Sequence, residues 1–225
     1  MDVANAIQAG EYELAVAGGM ESMSNAPYLL ERARSGYRMG NAALVDSMIH
    51  DGLWEAYEDY HMGCCGETVA DTYHITREEQ DAFSLESYTR AQKANNEGLF
   101  ADEIVPVDVP QKKGAPERVD KDEEPFAAPL DKMKSLKPAF QKDGSVTAAN
   151  SSKINDGAAA LVITSEERAK ALGSKPLARI VAYTGVAQAP EWFTTAPVGA
   201  IRKLLEKTGL KVSDIDLFEI NEAFA

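Results

Sequence analysis

The sequence has few cysteines, no long apolar run and no opening segment with the pattern of a leader. Two cysteines, Cys64 and Cys65, in 225 residues are too few for a disulfide framework and favour a reducing compartment. No hydrophobic stretch approaches the roughly 18 to 20 residues that a membrane span requires. No charged segment followed by an apolar one opens the chain, so nothing marks it for secretion. We therefore expect a protein that is neither secreted nor bound to a membrane.

Positive charge is also scarce. The 23 basic residues stand against 36 acidic ones, which gives a net charge of −13. Phosphate would be repelled by this field, so we expect no nucleic-acid partner. The 44% hydrophobic and 26% charged residues exclude a disordered chain and fit one or two globular domains.

Several motifs of common enzymes are absent. The sequence contains no G-x-G-x-x-G, no P-loop and no H-E-x-x-H, so the usual dinucleotide, phosphate and zinc sites are not predicted. Gly18 and Gly19 follow an apolar run at Tyr12–Ala17. A ligand-binding turn is one interpretation of this pair, and an ordinary tight turn is the favoured one.

The remaining pattern predicts an α/β protein with a partly parallel sheet. Helices are expected at residues 1–10, from Thr76 with Glu79 to Gly98, from Thr164 to Gly173, and from Pro197 to Gly209. In the last of these, Val198, Ile201, Leu204 and Leu205 are expected to face inward. Buried strands are expected at Tyr12–Ala17, Ala178–Tyr183 and Ser213–Ile220, and a helix that runs into a strand at Gly157–Ile163.

Few side chains are obvious candidates for chemistry. Cys64 and Cys65 are adjacent, so in an extended segment they would face opposite ways, and two small buried residues are favoured over a nucleophile. His50 and His74 lie among charges and are expected at the surface. His61 lies between an aromatic residue and a methionine; a ligand contact is the less favoured of its interpretations on pattern alone.

One segment is basic in this acidic chain. From Asp131 to Lys153, five lysines stand against two aspartates, a net charge of +3. A solvated face is the simplest interpretation, and a patch for a phosphorylated small molecule is the alternative. The run Ala148–Ser152 within it contains only small residues, which would let the backbone approach a slender ligand.

Five motifs together resemble the thiolases. They are VAGGMESMS at residues 16–24, YHMG at 60–63, TAANSS at 147–152, NDGAAA at 155–160 and NEAFA at 221–225. The resemblance extends over essentially the whole sequence. It implies two similar βαβαβαββ halves, with a large loop domain that covers coenzyme A (CoA) inserted in the first half. Residues 1–26 and 150–174 would belong to the first half, residues 27–149 to the inserted domain, and residues 175–225 to the start of the second half.

The resemblance also implies the chemistry. Thiolases cleave 3-ketoacyl-CoA with free CoA, or condense two acyl-CoA molecules in reverse, through an acyl-cysteine intermediate. The asparagine of NEAFA holds a water in an oxyanion hole, so Asn221 is the one catalytic position that carries over. The nucleophilic cysteine is expected before the VAGGMESMS segment, and a histidine and second cysteine beyond Ala225. These 225 residues are therefore expected to be an incomplete enzyme, inactive alone.

The remaining expectations concern CoA and the assembly. The tunnel for the pantetheine arm would be lined by Leu53, His61, Met62, Phe140, Ala148, Ser152 and Phe224. The His-Met pair resembles the acetoacetyl-CoA branch, an acetyl-CoA C-acetyltransferase. No metal and no tightly bound cofactor are expected, and acyl-CoA and CoA are the expected substrates. A homodimer or homotetramer in the cytoplasm or mitochondrial matrix is implied. A binding member of the family without catalysis, or an unrelated α/β binding module, are the alternatives.

Overall fold

Short helices and short strands alternate along the chain in the computed structural model, which describes residues 1–128 and 130–225. The α-helices are α1 (Asp2–Gln8), α2 (Gly63–Tyr73), α3 (Arg77–Asn96), α4 (Glu124–Ala127), α5 (Glu166–Ala171) and α6 (Ala196–Thr208). The strands are β1 (Leu14–Ser22), β2 (Tyr28–Leu29), β3 (Val45–Asp46), β4 (Trp54–Glu55), β5 (Tyr60–His61), β6 (Val107–Val109), β7 (Glu117–Val119) and β8 (Asp156–Thr164). This mixture confirms the α/β class.

Two compact units divide the described residues. The first contains Met1–Met62 and Ile154–Ile220, and the second contains Gly63–Lys153 and Asn221–Ala225. The division into domains that the resemblance implies uses other boundaries, and it stays a prediction.

The longest ladder of the first unit joins β1 to β8. The two strands are antiparallel, from Leu14 opposite Thr164 to Ser22 opposite Asp156. Every strand pair in residues 1–128 and 130–225 is antiparallel and belongs to a two-stranded sheet, so the expected parallel pairing is wrong there. The expected burial of both faces is wrong as well, since Val16 in β1 is 67% exposed.

Gly18 lies inside this ladder and not in a turn. A Cβ atom at this position would lie 2.5 Å from the carbonyl oxygen of Ala159 on the neighbouring strand. The close approach of the two backbones therefore requires glycine, and the expected tight turn at Gly18 and Gly19 is wrong. The helix expected to begin at Gly157 is also wrong, because residues 156–164 are strand throughout.

Two further expected strands do not form. Residues 178–183 and 215–220 are without regular structure, and Val212–Asp214 is a single turn of 3-10 helix. A strand is defined by hydrogen bonds to a neighbour, and within the described residues neither segment pairs with one. Apolar β-branched sequence was thus not sufficient to make a strand.

The two helices near the end of the first unit form where they were predicted, although two of the predicted details differ. Helix α6 carries proline in its first turn and ends at Gly209, whose φ of 71° is left-handed. Val198 is 50% exposed, so its expected inward orientation is wrong. Helix α5 is capped by Ser165, whose hydroxyl accepts from the Arg168 amide, one residue after the expected cap.

Helices α2 and α3 form the framework of the second unit. Thr76 and Glu79 make the predicted capping box at the start of α3, and Gly98 follows its end with a φ of 69°. Helix α3 has 20 residues and buries polar side chains, among them Gln80 and Asp81. No helix in the described part of the chain is long and apolar enough to cross a membrane.

Candidate functional site

Three of the predicted CoA-contacting residues lie on one hairpin of the first unit. Strands β4 and β5 pair with Trp54 opposite His61, and the two rings meet edge to face at a centroid distance of 6.5 Å. The Met62 amide donates to the Leu53 carbonyl at 2.8 Å. The hairpin therefore brings Leu53, His61 and Met62 together, as one small half-buried group.

Acidic side chains fix the turn of this hairpin. Glu55 is 4% exposed, and its carboxylate accepts from the backbone amides of Tyr57 and Glu58. Asp59 has a φ of 61° and accepts from the Trp54 indole nitrogen at 2.8 Å. Burial lowers the pKa of His61, so near pH 7 its imidazole is neutral and has one donor and one acceptor nitrogen.

Two aromatic residues of the predicted site meet in the second unit. The Phe140 and Phe224 rings are nearly perpendicular, with centroids 6.3 Å apart. Helix α2 lies directly against both rings: a Cβ on Gly63 would overlap Phe140, and a Cβ on Gly66 would lie 3.2 Å from Phe224. Glycine at these two helical positions therefore lets the rings pack on the backbone.

The TAANSS and NEAFA segments, about 70 residues apart in sequence, are hydrogen-bonded to each other. The Ser152 amide donates to the Ala223 carbonyl at 2.8 Å, and the Ala225 amide donates to the Asn150 carbonyl at 2.9 Å. Ser151 and Phe224 form the antiparallel bridge between them. Two segments that the sequence singled out separately thus belong to one local structure.

Asn221 is exposed at the start of the NEAFA segment. The next side chain, Glu222, accepts from the Ser87 hydroxyl of α3 at 2.5 Å. This contact fixes the segment on the helix immediately beside Asn221.

A pocket of about 180 Å³ opens beside this bridge. Its wall includes Ser152, Lys153 and Glu222, together with Ser87 and Tyr88 of α3. Of the predicted CoA-contacting residues, Ser152 lines this pocket, whereas Phe140, Ala148 and Phe224 lie outside its wall.

A buried polar network around the Gly144–Ser152 loop was not predicted from the sequence. Glu67 is 1% exposed and Asn150 is 2% exposed, and both are hydrogen-bonded to the loop backbone. A pattern existed for Glu67: it shares helix α2 with Gly63 and Ala70, small residues at helical spacing on a buried face. A carboxylate on a buried face requires hydrogen-bond partners, so a glutamate at this position in the pattern indicated a buried polar network.

The cysteines lie in α2, so the expected extended arrangement is wrong. Cys65 is fully buried, which confirms its interpretation as a small core residue. Burial, and then the charge of Glu67, raise the pKa of the Cys64 thiol, so the thiolate that a nucleophile needs is disfavoured.

The other two histidines are exposed, as predicted. The pKa of His50 is raised by its hydrogen bond to Asp51. In the described part of the chain, no three His, Cys, Asp or Glu side chains are grouped so that they could hold a metal ion.

Family models match almost the whole chain. The model of the thiolase N-terminal domain matches residues 1–167, and that of the thiolase C-terminal domain matches residues 174–225. The chain belongs to the thiolase family. This thiolase is 52% identical over 223 residues to the acetyl-CoA acetyltransferase of Pseudomonas aeruginosa, a match that covers 99% of this chain and 57% of the relative. It is also 52% identical to acetyl-CoA acetyltransferase 1 of Arabidopsis thaliana, a match that covers 100% of this chain and 55% of the relative.

Solved structures give the same result. The acetyl-CoA acetyltransferase of Syntrophomonas wolfei matches this thiolase with a TM-score of 0.93 at 44% identity, over 99% of this chain and 56% of that one. The Bacillus anthracis acetyl-CoA acetyltransferase matches with a TM-score of 0.94 at 44% identity, over 100% of this chain and 57% of that one. The chain therefore has the thiolase fold, and it spans a little over half the length of the relatives it matches.

Proposed function

We propose that these residues form part of an acetyl-CoA C-acetyltransferase. The reaction is the reversible Claisen condensation of two acetyl-CoA molecules to acetoacetyl-CoA and CoA, or thiolytic cleavage of a 3-ketoacyl-CoA in the other direction. The names of the relatives support this substrate class. The observation that supports the proposal is the pair of hydrogen bonds between Asn150–Ser152 and Ala223–Ala225, because it joins the segment proposed to bind CoA to the segment of Asn221.

CoA binding is assigned to the seven residues that the resemblance implies. The residues proposed to contact the pantetheine arm are Leu53, His61, Met62, Phe140, Ala148, Ser152 and Phe224. The residue types suit this ligand, since apolar side chains match the thin arm and Ser and His can hydrogen-bond its amides. The neutral imidazole of His61 can donate to or accept from an amide without a charge to desolvate.

Asn221 is assigned to the oxyanion hole. In the condensation, a base removes a proton from the α-carbon of acetyl-CoA, and the resulting enolate attacks the thioester carbonyl of the acyl-cysteine. The carbon–carbon bond forms as the cysteine thiolate leaves. A water held by the Asn221 carboxamide would stabilise the negative enolate oxygen.

The acyl-carrying cysteine is proposed to come from residues other than these 225. Cys65 has no exposed surface, and the raised pKa of Cys64 disfavours its thiolate. We accordingly propose that the chain alone is inactive. The proposal also includes the two βαβαβαββ halves and the inserted CoA-covering domain at residues 27–149. It further includes a homodimer or homotetramer in the cytoplasm or mitochondrial matrix.

The test is kinetic and uses a full-length thiolase that carries these residues. We expect it to condense acetyl-CoA and to cleave acetoacetyl-CoA, and Asn221→Ala to lower the rate of condensation by roughly 10²-fold through lost oxyanion stabilisation. A folded Asn221→Ala protein with normal turnover would refute the role of Asn221. CoA binding without either reaction would favour a non-catalytic member of the family.

The 225-residue chain provides the matched negative control. It is expected to give no thiolysis of acetoacetyl-CoA. Thiolysis that disappears on Cys64→Ala or Cys65→Ala would show that one of these cysteines is the nucleophile after all.

A further inference from the structure

Glu67 is a buried carboxylate for which the proposed chemistry has no use. It lies on α2 and is 1% exposed. Its carboxylate accepts from the backbone amides of Ser145 at 2.8 Å and Val146 at 2.9 Å, and from the Ser145 hydroxyl at 3.1 Å. Hydrogen bonds to an ionised acceptor are stronger than neutral ones, so Glu67 holds the beginning of the Gly144–Ser152 loop.

The loop passes so close to Glu67 that it has no room for a side chain there. A Cβ atom on Gly144 would overlap the Glu67 carboxylate. Burial and contact on this side mean that water cannot replace the carboxylate as acceptor for the two loop amides without a rearrangement.

Asn150 holds the other part of the same loop. Its side-chain oxygen accepts from the Thr147 amide at 2.6 Å, and its side-chain nitrogen donates to Asp81 at 3.1 Å. Asp81 is in turn paired with Arg77 at 2.9 Å. Between these two anchors the loop presents Ala148, an exposed residue of the predicted CoA site.

The same loop is hydrogen-bonded to the NEAFA segment. The carbonyl of Asn150 accepts from Ala225, and the amide of Ser152 donates to Ala223. A shift of the loop would therefore be transmitted to the segment that contains Asn221 through two backbone hydrogen bonds and one antiparallel bridge.

We infer that Glu67 is a positioning residue for CoA: its carboxylate fixes the Gly144–Ser152 loop, and through the loop the NEAFA segment, in the geometry that binds CoA. The inference rests on the proposed CoA site. Glu67 itself is not expected to touch the substrate.

The experiment compares Glu67→Gln with the control Glu78→Gln in a full-length thiolase that carries these residues. Gln keeps the size of the side chain but places an amide donor against two amide donors. We expect the dissociation constant for CoA, measured by calorimetry, and the KM for CoA in thiolysis to rise about tenfold or more. Glu78 is exposed in the first turn of α3, and its replacement should leave both values unchanged.

Amide hydrogen exchange supplies the readout that a general loss of stability would not give. In Glu67→Gln, exchange should accelerate at Ser145, Val146 and Ala225, while the β1–β8 ladder remains protected as in the wild type. Should Glu67→Gln fail to fold, Ser145→Ala removes one of the donors to the same carboxylate and should weaken CoA binding in the same direction, by a smaller factor.

The outcomes separate the two proposals. A wild-type protein that does not bind CoA would refute the proposed function, whatever the variants do. A wild type that binds CoA and a folded Glu67→Gln that binds it equally well would refute the positioning role alone. Uniformly faster exchange across the protein, with CoA affinity unchanged, would make Glu67 an ordinary stabilising residue and would likewise refute it.

Discussion

The lysines of the basic segment differ in what they contact. Lys132, Lys134, Lys137 and Lys142 are exposed. Lys153 is half-buried; it donates to the Ala148 carbonyl and lies 3.9 Å from Glu124. The basic segment thus consists of four solvated lysines and one lysine that stabilises the loop. Only the solvated lysines are free to attract an anion, and salt screens that attraction.

This difference gives a prediction about Ser152 and Lys134. If the Ser152 hydroxyl donates to a pantetheine amide away from water, Ser152→Ala leaves a buried acceptor unpaired, which costs roughly 1 to 3 kcal/mol, or about 5- to 150-fold in affinity. Lys134→Ala removes one exposed charge, worth about 0.2 to 1 kcal/mol. CoA titrated by calorimetry at two ionic strengths should show the larger loss for Ser152→Ala and a salt-sensitive loss for Lys134→Ala only.

Equal and salt-independent losses for the two variants would contradict this assignment. The basic segment would then be a solvated face without a role in binding, and Ser152 an ordinary loop serine.

At this scale the resemblance assigned residues to ligand contact, an assignment that stays a prediction, whereas the residues that support the loop were missed. Phe140, Phe224 and Ser152 were assigned from the family resemblance, and the structure brings the two phenylalanines into contact. Glu67 and Asn150 were missed because their role depends on which backbone amides lie beside them. Those amides belong to residues 78 and 3 positions away along the chain, and the longer separation has no local pattern.

The β1–β8 ladder is tied at one end by a carboxylate. Asp156 accepts from the amide of Ser24 at 2.9 Å and also from its hydroxyl. These hydrogen bonds, that of the hydroxyl first, lower the pKa of Asp156. A carboxyl whose pKa is lower in the folded state stabilises the fold above its unfolded pKa and loses this contribution as the pH falls through the folded pKa.

We therefore predict that Asp156→Asn destabilises a full-length thiolase that carries these residues at pH 7 and that the effect shrinks in acid. The ordinary value of 3.8 marks where the loss should begin as the pH falls. Urea unfolding of the wild type and the variant at pH 7 and at pH 3 measures the difference. Asp102→Asn, at an exposed turn, is the control and should behave like the wild type at both values.

A difference between wild type and Asp156→Asn that is the same at pH 7 and pH 3 would contradict the prediction. The aspartate would then act through its shape and not through its charge.

Whether an element could be predicted depended on how local its cause was. The capping box of α3 and the proline and glycine at the ends of α6 are encoded within a few residues, and both helices form as predicted. The strands expected at 178–183 and 213–220 need a partner that is distant in sequence, and their apolar pattern carried no information about one. Gly18 was misassigned for the same reason, since what requires glycine there is the close approach of the Ala159 backbone, which is distant in sequence.

The described residues expose a large area. The accessible surface is 17378 Å², whereas a folded monomer of 24.4 kDa exposes about 10,000 Å². Apolar side chains contribute to this excess: Leu177 is 100% exposed, Leu217 is 88% exposed and Val16 is 67% exposed. Exposed apolar area of this extent favours association.

We predict that the 225-residue chain, produced alone, self-associates or remains loosely packed. Light scattering after size exclusion should show species larger than a monomer, and a dye that binds exposed apolar surface should fluoresce strongly with it. A monodisperse monomer with one sharp, cooperative melting transition would contradict this prediction.

The α2 backbone at Gly63 and Gly66 forms a rigid surface on which Phe140 and Phe224 pack. A side chain can make room for a neighbour by changing rotamer, but the α2 backbone at Gly63 and Gly66 has no such freedom, and its hydrogen bonds oppose a shift of the chain. In the proposed CoA site, any adjustment to a bulkier ligand would therefore have to come from tilting of the two rings or from movement of the loop that Glu67 restrains. Tolerance of such a ligand would then depend on the stiffness of that loop.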